Sequence, residues 1–204
     1  ATAETDLLPA YITHADCARH EMGPHHPECP ERLGAINDLL LVKGLLDYMH
    51  PYDAPLATPE QLAHAHSSLY VAELMDASPA EGYHRVDPDT EMNPFTVRAA
   101  LRAAGAVVQA TDLVVAGEAP TAFCCVRPPG HHAERGAAMG FCFFNNIAVG
   151  IRHALTVHGV QRVANLVREA ACERADVRHV LGFVGGALHL EVLPKHAVEE
   201  RCGG

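Results

Sequence analysis

The stretch TAFCCVRPPGHHA (residues 121–133) joins a compact apolar run to a stiff turn that carries two adjacent histidines. The run over residues 121–126 is short and mostly apolar, and it stops before Pro128. Such a run predicts a buried strand of the kind found in parallel sheets. Residues 128–140 hold three glycines, and this composition predicts a long loop directly after the strand.

The chain continues with a segment whose apolar residues recur at helical spacing. Residues 146–157 predict a helix that ends at His158 and Gly159, and residues 160–164 predict the next strand. Strand, loop, helix and strand in this order form the βαβ pattern of a parallel sheet. Functional groups of such sheets lie in loops at the carboxyl ends of strands. We therefore predict an α/β domain with its site on the loop 128–140.

The chain before this unit predicts one short strand and several helices. The strand covers residues 11–14, and the helices cover residues 31–47, a short stretch from residue 59, residues 69–77 and residues 95–115. Helical spacing of apolar residues from Leu33 to Leu46 supports the first helix. Thr58 and Gln61 predict a capping box for the second, and Gly117 ends the last.

Composition and charge narrow the function classes. The net charge is −10, and a nucleic-acid binder usually presents a basic face, so no nucleic acid is expected as a partner. The seven cysteines are odd in number and include no C-x-x-C, which favours a reducing compartment. Without a signal peptide or a long apolar run, we expect no membrane span and a cytoplasmic protein. Nothing in the sequence indicates an oligomeric state.

The histidine pair is the strongest candidate for catalytic residues in this loop. Two prolines and a glycine stiffen the chain before His131 and His132. Paired imidazoles can transfer protons near neutral pH, one taking a proton while the other orients or donates. Two exposed loop histidines are the simpler interpretation of the pair taken alone.

The context of the pair carries more information. RPPGHHA (residues 127–133) and GFCFFNNIA (residues 140–148) together resemble the active-site signature of the zinc-dependent histone deacetylase family. The nearest likeness is to its class II and bacterial amidohydrolase members, including acetylpolyamine amidohydrolases. HPECPER (residues 26–32) and VDPDT (residues 86–90) resemble further family elements. The resemblance covers residues 11–164.

The resemblance implies a three-layer αβα fold of the arginase/deacetylase type, with a mostly parallel sheet. It implies hydrolysis of the acetyl amide of acetyl-lysine or an acetylpolyamine. In the family, zinc polarises the acetyl carbonyl and lowers the pKa of a bound water. His131 and His132 would be the catalytic proton-transfer pair, with His132 as the general base.

The same resemblance assigns roles to four further residues. Gly140 and Phe141 would line the tunnel that takes the acyl-lysine. Asp87 would hold the substrate backbone at the rim, although a solvated acidic turn explains that loop equally well. Arg32 would lie behind the site, near an internal cavity.

The resemblance stops after residue 164. The family has an Asp-x-His pair after the next strand, a second Asp and a later Tyr, but no Asp-x-His occurs here and the last tyrosine is Tyr83. Residues 1–164 are therefore interpreted as the N-terminal part of one deacetylase domain, truncated at its C-terminal side, with residues 165–204 as an unrelated tail. Asp176 and His179 are three apart and could ligate a metal on one helix face, but a solvated charged helix is the simpler interpretation.

These absences lead to three hypotheses about function. The chain descends from a deacetylase but is inactive and does not bind zinc, because the tail is a shifted reading frame or a chimera. Alternatively, it is a non-catalytic pseudoenzyme or a fragment that binds acyl-lysine or another protein. A third hypothesis is a metal-free hydrolase that pairs Cys142 or Cys124 with His132.

Overall fold

The computed structural model describes residues 7–160, 182–184 and 187–189. The strands are β1 (Ala10–Thr13), β2 (His50–Asp53), β3 (His84–Asp87), β4 (Thr90–Met92), β5 (Ala122–Cys124), β6 (Gly182–Val184) and β7 (Ala187–His189). The helices are α1 (Glu31–Val42), α2 (Pro59–Ala63), α3 (Ser68–Asp76), α4 (Thr96–Val115) and α5 (Asn146–Thr156). Within these described segments, none of the helices has the length and apolar character that crossing a bilayer requires.

A parallel sheet forms the centre of the fold. Its strand order is β2-β1-β5, and both pairings of β1 are parallel. Ala10 lies opposite His50 on one side and Ala122 on the other. The carboxyl ends of the three strands therefore lie along one edge, and the loops after β1 and β5 meet there. The predicted α/β class with a parallel sheet is confirmed.

The sheet is covered on both faces. Ile12 and Cys124 pack with Ala106 and Ala110 of α4, whereas Tyr11 packs with Cys125 and with Leu33 of α1. Successive residues of a strand point to opposite faces, so neighbouring residues of β1 contact different helices. Because both faces of β1 and β5 are covered, their sequences are mostly apolar, whereas the edge strand β2 is polar and largely exposed. The result is the predicted three-layer αβα arrangement.

Two glycines allow close approaches to α4. A Cβ on Gly105 would lie 2.0 Å from the backbone oxygen of Pro55 and 2.9 Å from the backbone nitrogen of Ala57. A Cβ on Gly150 would lie 2.4 Å from Cγ1 of Val107. The first glycine lets the segment after β2 lie on α4, and the second lets α5 pack directly against α4.

We expect Gly105→Ala to lower the free energy of unfolding by about 1–3 kcal/mol, the usual range for overpacking. The added methyl group meets backbone atoms, which cannot rotate away. Gly34→Ala in α1 is the matched control, since nothing lies within 4 Å of its Cβ position. In that variant the free energy of unfolding should rise by roughly 0.5–1 kcal/mol, because alanine is more favourable than glycine inside a helix. Equal effects of the two changes in urea unfolding would contradict this packing.

Some element boundaries differ from the prediction. The helix predicted over residues 31–47 is wrong at its end: α1 stops at Val42, and Gly44 turns the chain with a φ of 65°. Leu46 begins a short 3₁₀ turn but still packs on the face of the sheet that α1 covers. The sequence did not predict strand β2, because Pro51 and its polar neighbours are more typical of a loop. An edge strand nevertheless tolerates proline.

Other predicted elements are confirmed, and some lie outside the described residues. The Thr58 capping box is formed, and α3, α4 and α5 lie within one residue of their predicted bounds. The strand predicted over residues 160–164 falls mostly outside the described residues, as do Asp176 and His179. Strands β6 and β7 pair antiparallel in the glycine-rich segment.

Candidate active site

Two loops and one hairpin meet at the carboxyl edge of the sheet. The backbone nitrogen of Cys125 donates to the carbonyl of Ile12 at 2.9 Å, and the Thr13 hydroxyl donates to the carbonyl of Cys125 at 2.8 Å. These bonds fix the starts of the loops 14–30 and 125–145 side by side. The β3–β4 hairpin joins them because His26 Nε2 lies 3.4 Å from the Asp89 carbonyl.

A buried ion pair lies beneath the histidine loop. The Arg127 side chain is fully buried and donates to both carboxylate oxygens of Glu28, at 2.8 and 2.6 Å. It also donates to the backbone carbonyls of Cys17 and His20. Two parallel bonds between a guanidinium and a carboxylate fix both groups in orientation. The loop after β5 is therefore fastened to the loop after β1 immediately before Pro128.

His20 is enclosed beside this ion pair. Its Nδ1 lies 2.8 Å from the Thr96 hydroxyl, and its Nε2 lies 3.5 Å from Glu28 Oε2. Burial, with the Arg127 charge as a second cause, lowers the pKa of His20 to about 3. The Glu28 carboxylate would favour a protonated ring, but both of its oxygens already accept from Arg127. His20 is thus a neutral imidazole in the folded protein.

Arg32 reaches the same carboxylate from outside. Its Nη1 lies 3.1 Å from Glu28 Oε1, and 41% of its side chain is exposed. The guanidinium enclosed behind the histidine loop is that of Arg127, and Arg32 shares Glu28 with it as an ion-pair partner. The prediction that Arg32 lies near an internal cavity therefore stays a prediction.

The two loop histidines contact each other. The ring centroids of His131 and His132 are 4.2 Å apart. Burial, and then the neighbouring His132, lowers the pKa of His131 below its usual value. A Cβ on Gly130 would lie 2.4 Å from the Phe144 carbonyl, so only glycine lets the loop pass there. The pair is held on a closely packed backbone.

Two asparagines of the second motif hold this loop in place. Asn145 caps α5 through a bond from the Ala148 nitrogen to its Oδ1 at 3.0 Å. Its Nδ2 donates to the Ala133 carbonyl at 3.0 Å, and Asn146 donates to the Pro128 carbonyl at 3.4 Å. The start of α5 is thereby tied to both ends of the histidine turn. Both residues stand in the motif, but the sequence alone did not predict these bonds.

Gly140 lies directly against the ring of His132. Its φ is 56°, and a Cβ there would lie 2.9 Å from three atoms of the His132 side chain. Phe141 follows with a φ of 69°, a conformation that is rare outside glycine. Its nitrogen donates to the Thr90 hydroxyl at 2.9 Å, and its ring lies edge-on to His26 at 4.6 Å. The predicted glycine–phenylalanine pair is thus next to the predicted histidine pair.

Asp87 and Asp89 lie beside the same loop. Loss of hydration and the neighbouring Asp89 raise the pKa of Asp87, while the backbone nitrogen of Gly140 donates to its carboxylate and opposes the shift. Thr90, which follows Asp89, is fully buried. The rim hairpin is therefore joined to the loop 140–141 at two points. Five of the predicted site residues, His131, His132, Gly140, Phe141 and Asp87, are brought together.

The described residues do not provide a zinc site at the histidine pair. Within the described segments, three His, Cys, Asp or Glu side chains converge only at Asp112, His153 and His158. The histidine loop packs at the start of α5, whereas His153 lies near its end. A separation of roughly 10 Å along the axis from Asn146 to His153 follows from the helical rise. The cluster on α4 and α5 is therefore separate from the histidine pair.

The thiols near the loop are buried and protonated. Burial raises the pKa of Cys142 to about 11, although the backbone nitrogens of His132 and Ala133 point to its sulfur. Burial raises the pKa of Cys124 to about 12. A nucleophilic cysteine needs a thiolate at neutral pH. These environments argue against the third hypothesis, the metal-free hydrolase with a Cys-His pair.

We expect Cys142 to resist alkylation by iodoacetamide at pH 8 in the folded chain. Because burial raises the pKa of this thiol from its ordinary 9.0 to about 11, its thiolate fraction falls about a hundredfold. Cys29 is partly exposed and is the comparison within the same molecule. Peptide mass spectrometry should find Cys29 modified first, and Cys142 modified only in urea. Equal rates for the two thiols in the folded chain would contradict this.

Known proteins and a protein-family model are similar to most of this chain. The histone deacetylase domain matches residues 26–166 of this chain. The histone deacetylase-like amidohydrolase of Pseudomonas aeruginosa is 38% identical over 167 residues, which are 74% of this chain and 44% of that protein. The polyamine deacetylase HDAC10 of Mus musculus is 38% identical over 141 residues, 67% of this chain and 21% of that protein.

A solved structure is similar over the same part. The crystal structure of the HDA15 HD domain matches with a TM-score of 0.74 and 32% sequence identity, over 78% of this chain and 46% of that one. The chain thus spans less than half the length of each of these three proteins. With the histidine loop on a parallel α/β frame and the domain match over most of its length, the chain belongs to the histone deacetylase family.

Proposed function

We propose that residues 7–160 form the proton-transfer and substrate-entry side of a site that hydrolyses the acetyl amide of acetyl-lysine or an acetylpolyamine. The observation that carries the proposal is the packing of Gly140 on the His132 ring, where a Cβ would be 2.9 Å away. An extended acyl chain that passed along Gly140 would reach the two imidazoles. Family membership supports the reaction class.

Each residue of the group has a distinct proposed role. His132 accepts a proton as general base, and His131, whose pKa is lowered by burial, is neutral at pH 7 and orients or donates. Phe141 forms an apolar wall for the acyl-lysine stem. Asp87 and Asp89 hold an amide or an ammonium group at the rim, where carboxylates favour a cationic substrate.

We further propose that this chain alone does not hydrolyse the amide. Its 204 residues contain no Asp-x-His and no tyrosine after Tyr83. Catalytic zinc sites use about three protein ligands and one open position, and the described residues at the histidine pair do not supply them. The second candidate function is binding of acyl-lysine or another protein without catalysis, favoured by a formed rim and histidine loop.

The experiment is a turnover assay with an acetyl-lysine peptide and an acetylated polyamine, with and without added zinc. The full chain and its His132→Ala variant should both match the protein-free control. A titration of the acetyl-lysine peptide then tests binding, with the non-acetylated peptide as the control. Turnover by the full chain that His132→Ala removes would refute the inactivity, and turnover that survives the substitution would refute the role of His132.

A further inference from the structure

Asp112, His153 and His158 converge where the ends of α4 and α5 meet. The Nε2 atoms of His153 and His158 each lie 2.6 Å from the same oxygen, Asp112 Oδ1. The two rings are edge-on, with centroids 5.2 Å apart. One ligand-type atom from each residue lies within 4.8 Å of the other two.

Two helices and one turn carry the three residues. Asp112 lies on α4, His153 lies on α5, and His158 follows in the turn that Gly159 completes with a φ of 62°. The Gly150 approach to Val107 locks the two helices against each other. Thus the three side chains come from separate points of the chain and meet where α5 packs against α4.

The ligand types and their exposure suit a divalent transition metal. Two imidazole nitrogens and one carboxylate oxygen form a set that zinc accepts, with a water at the fourth position. Donors of a tetrahedral zinc lie about 3.3 Å apart for bonds of roughly 2.0–2.1 Å, so the two 2.6 Å contacts to Asp112 Oδ1 would have to lengthen by about 0.7 Å when the ion binds. The His153 side chain is 7% exposed, whereas His158 and Asp112 are 24% and 48% exposed. The buried imidazole anchors the site, and the exposed side admits the ion.

We propose that Asp112, His153 and His158 bind one Zn²⁺ or a similar divalent transition metal at the junction of α4 and α5. The site is separate from the histidine pair, which packs at the other end of α5. The metal fastens the end of α5 to α4. Without it, the same three groups form only two hydrogen bonds to one carboxylate oxygen, which is the alternative that the test must exclude.

The test is a titration of the full chain with Co²⁺ as a spectroscopic probe, followed by competition with Zn²⁺. We expect about one equivalent of Co²⁺ with the visible bands of a four-coordinate ion. Asp112→Asn and His158→Gln alter partly exposed groups and should fold, and each should weaken the apparent affinity at least tenfold. His153→Gln should do the same, but it changes a buried side chain, so the conclusion rests on the other two.

Three controls separate this site from other histidines. His50→Gln removes an exposed imidazole on β2, His179→Gln removes the tail candidate, and His131→Ala with His132→Ala removes the loop pair; each should retain the Co²⁺ bands. Loss of the bands in a control but not in His158→Gln would overturn the proposal. So would no Co²⁺ binding by the folded chain. Because the readout does not depend on hydrolysis, it is independent of the proposed function.

Discussion

Replacing Arg127 with Met should lower the free energy of unfolding by about 3–5 kcal/mol, the cost of removing one partner from a buried ion pair. Glu28 is 4% exposed and would have only the partly exposed Arg32 and the neutral His20 beside it. The carbonyls of Cys17 and His20 would also lose their donor. Since whole domains are stable by only about 5–15 kcal/mol, this loss is a large share of the stability of the fold.

The control for this prediction is an exposed ion pair in the same chain. Arg85 bonds Glu91 at 2.6 Å, but 67% of its side chain is exposed, so Arg85→Met should cost about 0–1 kcal/mol. Combining Arg127→Met with Glu28→Gln should cost less than the sum of the two single changes. Urea unfolding of the four variants measures these differences. The interaction between Arg127 and Glu28 would be contradicted by additive losses from Arg127→Met and Glu28→Gln. Equal losses from Arg127→Met and Arg85→Met would contradict it as well.

Acid should destabilise the chain through His20. In the unfolded chain the pKa of this imidazole has its ordinary value of 6.5, and in the folded chain it is about 3. Below pH 6.5 the unfolded state therefore binds a proton that the folded state does not, so stability falls from pH 6.5 down to pH 3. Between pH 7 and pH 4 the loss from this group is about 3 kcal/mol at 1.36 kcal/mol per pKa unit.

The contribution of His20 is isolated by comparison with His20→Asn. The asparagine amide can replace Nδ1 beside the Thr96 hydroxyl, but it does not titrate. Carboxylates contribute equally to both proteins, so the wild type should lose about 3 kcal/mol more than the variant over that pH range. The measurement is urea unfolding at pH 7, 5.5 and 4. Parallel pH dependence of the two proteins would show that His20 is protonated in the folded state.

The layer arrangement could be predicted because the spacing of apolar residues indicates the strands and helices, and glycines mark the helix ends. The apolar run at residues 121–126 is buried on both faces, and Gly117 and Gly159 end the helices they were expected to end. Strand β2 could not be predicted, because HPYD resembles a loop until β1 provides its partner. The early end of α1 at Val42 was signalled by Gly44, but the apolar spacing continued to Leu46 and outweighed that signal.

The sequence motifs predicted five residues that lie together in the structure, but they did not predict the contacts that hold these residues in place. His131, His132, Gly140, Phe141 and Asp87 stand in the family-like motifs, and they meet at the carboxyl edge of the sheet. Long-range partners have no sequence pattern, because they depend on how separate loops pack. Two such partnerships were therefore not predicted, the Glu28–Arg127 pair across 99 residues and the Phe141–Thr90 bond across 51 residues.

We propose that this chain holds the histidine-pair side of a deacetylase site without the zinc ligands. This proposal is tested by replacing residues 165–204 with the segment that follows the matched region in the Pseudomonas aeruginosa amidohydrolase, and by assaying an acetyl-lysine peptide with zinc supplied. The chimera should hydrolyse the amide, and His132→Ala in it should lower the rate by about 10²–10⁴, while the parent chain stays inactive. A folded, zinc-loaded chimera without activity, or one whose rate is unchanged by His132→Ala, would contradict the proposed role of the histidine pair.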